Sequence, residues 1–217
     1  MKVLILGASG FVGGTLYKKL KEETDFWVLG TSYESKRNNE FIKLNAVDSI
    51  EVKTFLEHFK ADVIVWCLKG KENELIEKGL PNILNNIDKA CKFIFMSTNS
   101  VFSEGKGEFV EEDIPSYKNS DSDLALYSNA KIDGEKAVKV HENYIIIRSG
   151  PIYGQDINGK WDKRVAQLIE ELSAGKTVAK STNLVNTFVE INELSEAIIK
   201  LIKADYKGII HLGPEKK

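Results

Sequence analysis

Three glycines directly after a short apolar run restrict the fold of this chain more than any other feature. The run, residues 3–6, is typical of a strand buried on both faces, and Gly7, Gly10 and Gly13 follow it at even spacing. Such a turn places backbone N–H groups at a helix N-terminus, where the helix dipole and the unpaired donors favour an anion. We therefore predict a phosphate-binding turn, with contacts from Gly7, Ser9, Gly10, Phe11, Val12 and Gly13.

Segments with strand and helix patterns alternate along the rest of the chain. Further strands are predicted at residues 26–29, 41–44, 63–67, 93–97, 144–148 and 208–212, and helices at 73–89, 125–141, 161–174 and 191–204. Pro81 should break or kink the helix at 73–89. This alternation predicts an α/β protein with a doubly wound parallel sheet of the Rossmann type. We expect residues 1–150 to bind a dinucleotide and residues 151–217 to form a small C-terminal substrate lobe, interwoven with the first part.

Composition and net charge limit which classes of binding partner are expected. The 217 residues carry a net charge of −2 at pH 7, and Lys and Arg form no long basic run. Neither nucleic acid nor an acidic membrane surface is therefore expected as a partner. No apolar stretch approaches the about eighteen residues of a membrane span, and the run at residues 3–6 is too short for a signal peptide. The two cysteines match no metal site or redox pair, so we expect a cytoplasmic protein without a metal.

Residues after the second predicted strand bear on which dinucleotide is bound. An NAD site usually has Asp or Glu there to accept a hydrogen bond from the ribose 2′-hydroxyl. This chain has Thr31 and Ser32, followed by Lys36 and Arg37. Hydroxyls and a guanidinium suit a 2′-phosphate, which favours NADP (as NADPH) over NAD. Glu34 lies nearby, and the two cations are also typical of a solvated loop, so that alternative stays open.

Tyr127 and Lys131 lie four residues apart in a predicted helix. This spacing puts both side chains on one helix face, one turn apart. An ammonium beside a phenol stabilises the phenolate and lowers a pKa that is about 10 in free tyrosine. We expect such a tyrosine to donate a proton to a carbonyl oxygen at neutral pH. The spacing also arises by chance, and the alternative is a surface Tyr and Lys on an ordinary amphipathic helix.

The glycine turn and the Tyr–Lys pair, together with several further segments, resemble the extended branch of the short-chain dehydrogenase/reductase superfamily. Within it the chain is similar to the dTDP-4-dehydrorhamnose reductase group. The segments are MKVLILGASGFVG, FMSTNSVF, FVEEDIP before YSNAK, IIIRSGPIYG and GIIHLGP. The resemblance implies that Thr98 hydrogen-bonds the reacting oxygen and that Lys131 also holds the nicotinamide ribose. It further implies that Cys67 and Leu68 belong to a loop over the cofactor and that Ser149 lies beside the nicotinamide.

The resemblance, with the catalytic residues Thr98, Tyr127 and Lys131, predicts an NADP-dependent reductase of a nucleotide-linked 4-keto sugar. The Asp-Glu pair that related 4,6-dehydratases carry after their Thr is replaced here by Asn99 and Ser100. Two alternatives stay open: a dinucleotide-binding regulatory subunit without catalysis, which the short C-terminus favours, and a sugar-nucleotide epimerase. Family members often dimerise through the helices that correspond to 73–89 and 125–141, so a homodimer is expected.

Overall fold

The computed structural model describes residues 1–33, 40–102, 107–179 and 187–214. Its strands are β1 (Lys2–Leu6), β2 (Trp27–Ser32), β3 (Ile42–Lys43), β4 (Val63–Trp66), β5 (Lys92–Thr98), β6 (Tyr144–Ser149), β7 (Ile152–Tyr153), β8 (Val189–Glu190) and β9 (Gly208–Leu212). Its α-helices are α1 (Phe11–Glu23), α2 (Ser49–His58), α3 (Glu72–Glu74), α4 (Leu80–Leu84), α5 (Asp123–Val138), α6 (Lys163–Ser173) and α7 (Ile191–Lys203). A π-helical turn, Leu75–Gly79, joins α3 to α4, and a 3₁₀ turn, Asn99–Val101, follows β5.

In the part of the chain that the structure describes, seven strands form one parallel sheet in the order β3-β2-β1-β4-β5-β6-β9. β1 pairs with both β2 and β4, so the chain winds outward from β1 in both directions. In such sheets, ligands bind outside the carboxyl ends of the strands at the point where the winding reverses. The predicted fold class, an α/β protein with a doubly wound Rossmann-type sheet, is confirmed, and the reversal falls at the glycine turn after β1.

Helices cover both faces of the sheet. Val3 and Ile5 of β1 face an apolar cluster that includes residues of α1 and α7, whereas Leu4 and Leu6 face a second cluster built with α2 and α4. All four side chains are fully buried. Burial on both faces is the physical reason why this run shows no alternation of apolar and polar residues.

The helical segment after β4 is shorter and less regular than the sequence predicted. It runs from Glu72 to Leu84 through α3, the π turn and α4, and so ends before Lys89. Pro81 does not end the helix, because it stands in the first turn of α4, directly after the wider π turn. A missing N–H is tolerated at that position. Among the described residues, no helix combines the length and the apolar character that a membrane crossing requires.

Residues after 150 contribute to two parts of the fold. β9 pairs with β6 at the edge of the main sheet, and α7 packs against α1 on one of its faces. β7 and β8 pair with each other outside that sheet, and α6, which lies between them in the chain, has no fully buried residue. The division of the chain at residue 150 and the substrate role of residues 151–217 stay predictions.

Candidate active site

The glycine turn leaves the N-terminus of α1 open. Gly7 has φ +86, and a Cβ there would lie 2.9 Å from the carbonyl oxygen of Cys67. A Cβ on Gly13 would lie 2.3 Å from the carbonyl oxygen of Gly7, so side chains are excluded at both positions. Gly10 caps α1 without a side chain, and the first helical turn contains no acidic residue. Ser9 is exposed, and Phe11 and Val12 are partly exposed. A free positive helix end with close backbone fits a pyrophosphate.

Most of the predicted site residues lie along one edge of the sheet. In the register of the parallel strands, Leu6, just before the turn, is level with Thr31 and Trp66, and Thr98 is level with Ser149. Cys67 and Leu68 directly follow β4 and are partly buried. Because parallel strands end at the same edge, the turn, the loop after β4 and the ends of β5 and β6 surround one region.

The end of β2 adjoins the turn. The carbonyl oxygen of Thr31 accepts a hydrogen bond from the N–H of Ala8 at 2.8 Å. The side chains of Thr31 and Ser32 are buried, whereas Tyr33 is 66% exposed. Arg37 and Lys36, the predicted phosphate ligands, lie outside the described residues, so the contact with a 2′-phosphate stays a prediction.

The three predicted catalytic residues come together at the end of β5. Tyr127 and Lys131 lie one turn apart on α5, and the Nζ of Lys131 is 5.7 Å from the centre of the Tyr127 ring. The Thr98 hydroxyl is placed to donate a hydrogen bond to the ionised Tyr127 oxygen. Thr98 also accepts a hydrogen bond from the N–H of Ser100 at 3.2 Å, which fixes its side chain at the start of the 3₁₀ turn. This arrangement can donate a proton and a hydrogen bond to one oxygen atom.

Glu72, which the sequence analysis did not single out, pairs with Lys131. Its Oε2 lies 3.5 Å from the Lys131 Nζ, and the two side chains are only 9% and 4% exposed. The other carboxylate oxygen accepts a hydrogen bond from the N–H of Gly70 at 3.3 Å. From the same loop, the Nζ of Lys69 lies 5.9 Å from the centre of the Tyr127 ring. The available signal was the charged segment KGKENE, which begins after Cys67 and Leu68 in the loop that follows β4.

The electrostatics of Tyr127 differ from the expectation. Burial, and next the negative charge of Glu72, raise the pKa of Tyr127 to about 12, and the hydrogen bond from Thr98 offsets only part of this. The expected lowering of this pKa by Lys131 is therefore wrong for the structure described. Burial also lowers the pKa of Lys131, although the charge of Glu72 acts in the opposite direction. The tyrosine is thus a protonated group at neutral pH.

A buried ion pair supports the strand ends beneath the site. Arg148 donates to both carboxylate oxygens of Glu135, at 3.0 and 2.8 Å, and Ser97 donates to one of them at 2.6 Å. Arg148 also donates to the carbonyl oxygen of Glu111, whose carboxylate accepts from the N–H of His211 at 2.8 Å. The network thereby fastens the acidic loop before α5 to β5, β6 and β9.

Three acids whose pKa is raised by burial should make the fold sensitive to alkali. Burial raises the pKa of Cys67 and of Cys91 from 9.0 to about 12, and Tyr127 also reaches about 12. Between about pH 9 and about pH 12 the unfolded chain loses protons that the folded chain keeps. The contribution of these groups to the free energy of unfolding therefore falls as pH rises above about 9. We expect a steeper fall in the wild type than in a Cys67→Ala, Cys91→Ala variant, measured by urea unfolding across that range. Equal slopes would contradict this assignment.

Comparison with known proteins assigns the chain to a family. Residues 3–213 match the NAD dependent epimerase/dehydratase family. Among curated proteins, methionine adenosyltransferase 2 subunit beta of Xenopus laevis is 30% identical over 196 residues, covering 84% of this chain and 55% of that protein. The chain thus spans about half the length of this relative.

Solved structures show the same fold. A dTDP-4-dehydrorhamnose reductase from Clostridium acetobutylicum has a TM-score of 0.80 at 22% identity, covering 99% of this chain and 75% of that one. A dTDP-4-dehydrorhamnose reductase from Bacillus anthracis in complex with NADP scores 0.76 at 21% identity, with coverages of 98% and 74%. The Bordetella bronchiseptica enzyme WbmH in complex with NAD⁺ scores 0.78 at 17% identity, with coverages of 98% and 75%. With a family match over nearly its whole length, the chain belongs to the NAD dependent epimerase/dehydratase family of extended short-chain dehydrogenases/reductases.

Proposed function

We propose that this protein is an NADP-dependent reductase of a nucleotide-linked 4-keto sugar. The observation that carries the proposal is the meeting of Thr98, Tyr127 and Lys131 at the sheet edge that also holds the open glycine turn. An anion site and a partly buried proton donor at one edge of a Rossmann sheet suit a dinucleotide and a carbonyl substrate.

The residues of the site divide the work of carbonyl reduction. In this proposal the glycine turn and the α1 N-terminus would hold the pyrophosphate, and Lys131 and Ser149 would lie beside the nicotinamide. When bound, the reduced dinucleotide supplies a hydride to the carbonyl carbon. As the C=O π electrons move onto the oxygen, Tyr127 transfers its hydroxyl proton there and Thr98 donates a hydrogen bond to the same atom. The products are the alcohol, the oxidised dinucleotide and a tyrosinate that regains its proton from solvent.

The substrate side faces residues that follow β5 and β6. Asn99 donates a hydrogen bond to the hydroxyl of Thr187 at 3.4 Å. A Cβ on Gly150 would lie 1.8 Å from the carbonyl oxygen of Thr187, so Gly150 permits this close approach. These contacts draw the chain before β8 towards Thr98, where a substrate sugar would lie. Reductases with a 4-keto sugar in their name share the fold, which supports this substrate class.

The preference for NADP rests on Thr31, Ser32 and the basic residues after them. Proteins of the same fold bind NADP in one case and NAD⁺ in another. A homodimer and a cytoplasmic location complete the proposal, and light scattering of the purified protein tests the first of these.

A regulatory, dinucleotide-binding subunit is the second candidate. One finding among the comparisons favours it. The curated relative of similar sequence is named as a subunit beta. This candidate requires the same glycine turn but no turnover.

The two candidates are separated by binding and turnover measured on one preparation. Fluorescence titration with NADPH and NADH measures affinity, and NADPH oxidation with a panel of nucleotide-linked 4-keto sugars measures reduction. We expect tighter binding of NADPH than of NADH and turnover of at least one sugar. Tight binding without turnover of any carbonyl would replace the reductase by the regulatory subunit, and absence of binding would remove both.

Replacing Gly13 with Ala should weaken dinucleotide binding about tenfold or more, which corresponds to about 1.4 kcal/mol. The added Cβ would meet backbone at 2.3 Å, so the turn must open and its N–H groups move away from the phosphates. Gly79→Ala is the matched control, because its Cβ would find ordinary contacts from 3.4 Å. Fluorescence titration with NADPH, after circular dichroism has shown that both variants are folded, measures the effect. Equal affinities for the two variants would show that the turn does not bind the dinucleotide.

A further inference from the structure

The Lys131 ammonium lies in a site where a bare charge would be unfavourable. Its side chain is 4% exposed and lies 5.0 Å from the ring centre of Phe95 and 5.7 Å from that of Tyr127. A buried charge requires a partner of opposite sign, because the free-energy cost of desolvating an unpaired charge is far larger than the free energy that a hydrogen bond returns. Glu72, itself 9% exposed and 3.5 Å away, provides that partner from the start of α3.

The net charge of Glu72, Lys131 and Tyr127 affects how readily Tyr127 loses its proton. With Glu72 negative, Lys131 positive and Tyr127 neutral, the three buried groups have no net charge. Ionisation of Tyr127 would give them a net charge of −1, which burial disfavours. A Tyr–Lys pair without the carboxylate would instead become neutral when the phenol ionises. With the carboxylate present, the protonated phenol is therefore favoured, whereas Lys131 alone would favour the phenolate.

Other groups around Tyr127 do not cancel this effect. Lys69 faces the same ring from the loop after β4, but its side chain is exposed, so water screens its charge. Thr98 faces it from β5 with a hydrogen bond that favours the phenolate. Cys67, after β4, keeps its proton because burial raises the pKa of its thiol to about 12, and it therefore adds no charge.

We infer that Glu72 is a positioning residue which holds the Lys131 ammonium and keeps Tyr127 in its protonated, proton-donating form. The inference rests on the proposed function and deepens it, since it names the residue that keeps the proton of the general acid on Tyr127 as the pH rises. It also explains why a charged segment follows β4: α3 begins at Glu72, and the Gly70 N–H holds the second carboxylate oxygen.

The first test needs no dinucleotide. Ultraviolet difference titration follows tyrosinate formation in the protein, and subtraction of the matching Tyr127→Phe protein isolates Tyr127. We expect Glu72→Gln, which keeps the size of the side chain, to lower the pKa of Tyr127 by about one unit or more. Glu74→Gln is the matched control, because Glu74 pairs only with the exposed Lys71 and Lys78 among the described residues. Titration of Tyr127 at the same pH in Glu72→Gln as in the wild type would overturn the inference.

A charge-retaining variant keeps the inference testable if Glu72→Gln does not fold. Glu72→Asp keeps the carboxylate, so the Tyr127 titration should stay closer to that of the wild type than to that of Glu72→Gln. If Glu72→Gln does not fold, a pKa of Tyr127 in Glu72→Asp at or above the wild-type value would overturn the inference. A lower value would support it, because the shorter side chain moves the charge away from Lys131.

The second test uses the pH profile of reduction. The alkaline decline of kcat/KM should begin at lower pH in Glu72→Gln than in the wild type. A uniform loss at every pH would indicate a merely structural role and would contradict the inference. Absence of turnover in the wild type would remove the proposed reductase, but the tyrosinate titration would still decide whether Glu72 controls Tyr127.

Discussion

Replacing Tyr127 with Phe should lower kcat for carbonyl reduction by about 10²–10⁴-fold, the range usual for loss of a general acid. The change removes one hydroxyl from a partly buried ring and leaves Lys131 and its partner Glu72 in place. Dinucleotide affinity should therefore change little, because the turn and the α1 N-terminus are untouched. Steady-state oxidation of NADPH with the best substrate of the panel, together with a fluorescence titration, separates the two quantities.

A matched Tyr→Phe change shows whether the loss is specific. Tyr117 is 51% exposed and donates a hydrogen bond to Asp133 on the outer side of α5. Tyr117→Phe should retain kcat within about twofold, since surface substitutions away from special features have small effects. An undiminished rate in Tyr127→Phe would remove this tyrosine from the chemistry and leave the dinucleotide site unassigned to a reaction. Because the pKa of Tyr127 is raised to about 12, its proton should remain available throughout the neutral and mildly alkaline range.

Replacing Arg148 with Met should lower the free energy of unfolding by about 3–5 kcal/mol, because it leaves the buried carboxylate of Glu135 without its partner. The Arg148 and Glu135 side chains are 1% and 2% exposed, so water does not compensate the charge. Loss of the same guanidinium also removes the hydrogen bond from β6 to the Glu111 loop, whereas the bond from the His211 N–H of β9 remains. Urea unfolding at neutral pH measures the change.

Two variants test whether the buried charge is the cause. Lys53→Met removes a pair with Glu57 in which both side chains are more than half exposed, and should change stability by less than about 1 kcal/mol. Arg148→Met combined with Glu135→Gln should recover part of the loss, because no uncompensated charge remains. A double variant no more stable than Arg148→Met would show that packing, rather than charge, dominates at this position.

Much of the fold follows from patterns that are local in the sequence. The apolar run before Gly7 predicts a strand buried on both faces, and Leu4 and Ile5 do face opposite apolar clusters. Alternation of strand and helix patterns was sufficient for the parallel sheet, since each pattern spans only one element. The strand at Gly208–Leu212 has the predicted limits. The helix predicted at 73–89 ends earlier, at Leu84, and its middle is a π turn, which has no periodic signal.

The candidate site also has one part that local sequence patterns determine and one part that depends on tertiary structure. The spacing of Gly7, Gly10 and Gly13 and that of Tyr127 and Lys131 are properties of one turn and one helix face, and the sequence by itself determined them. The pairing of Lys131 with Glu72 depends on two segments that meet only when β4 and β5 lie side by side. Burial then decides the direction in which the pKa of Tyr127 is shifted, because desolvation depends on everything packed around the ring. Tertiary structure alone decided that the pKa of this tyrosine is raised rather than lowered.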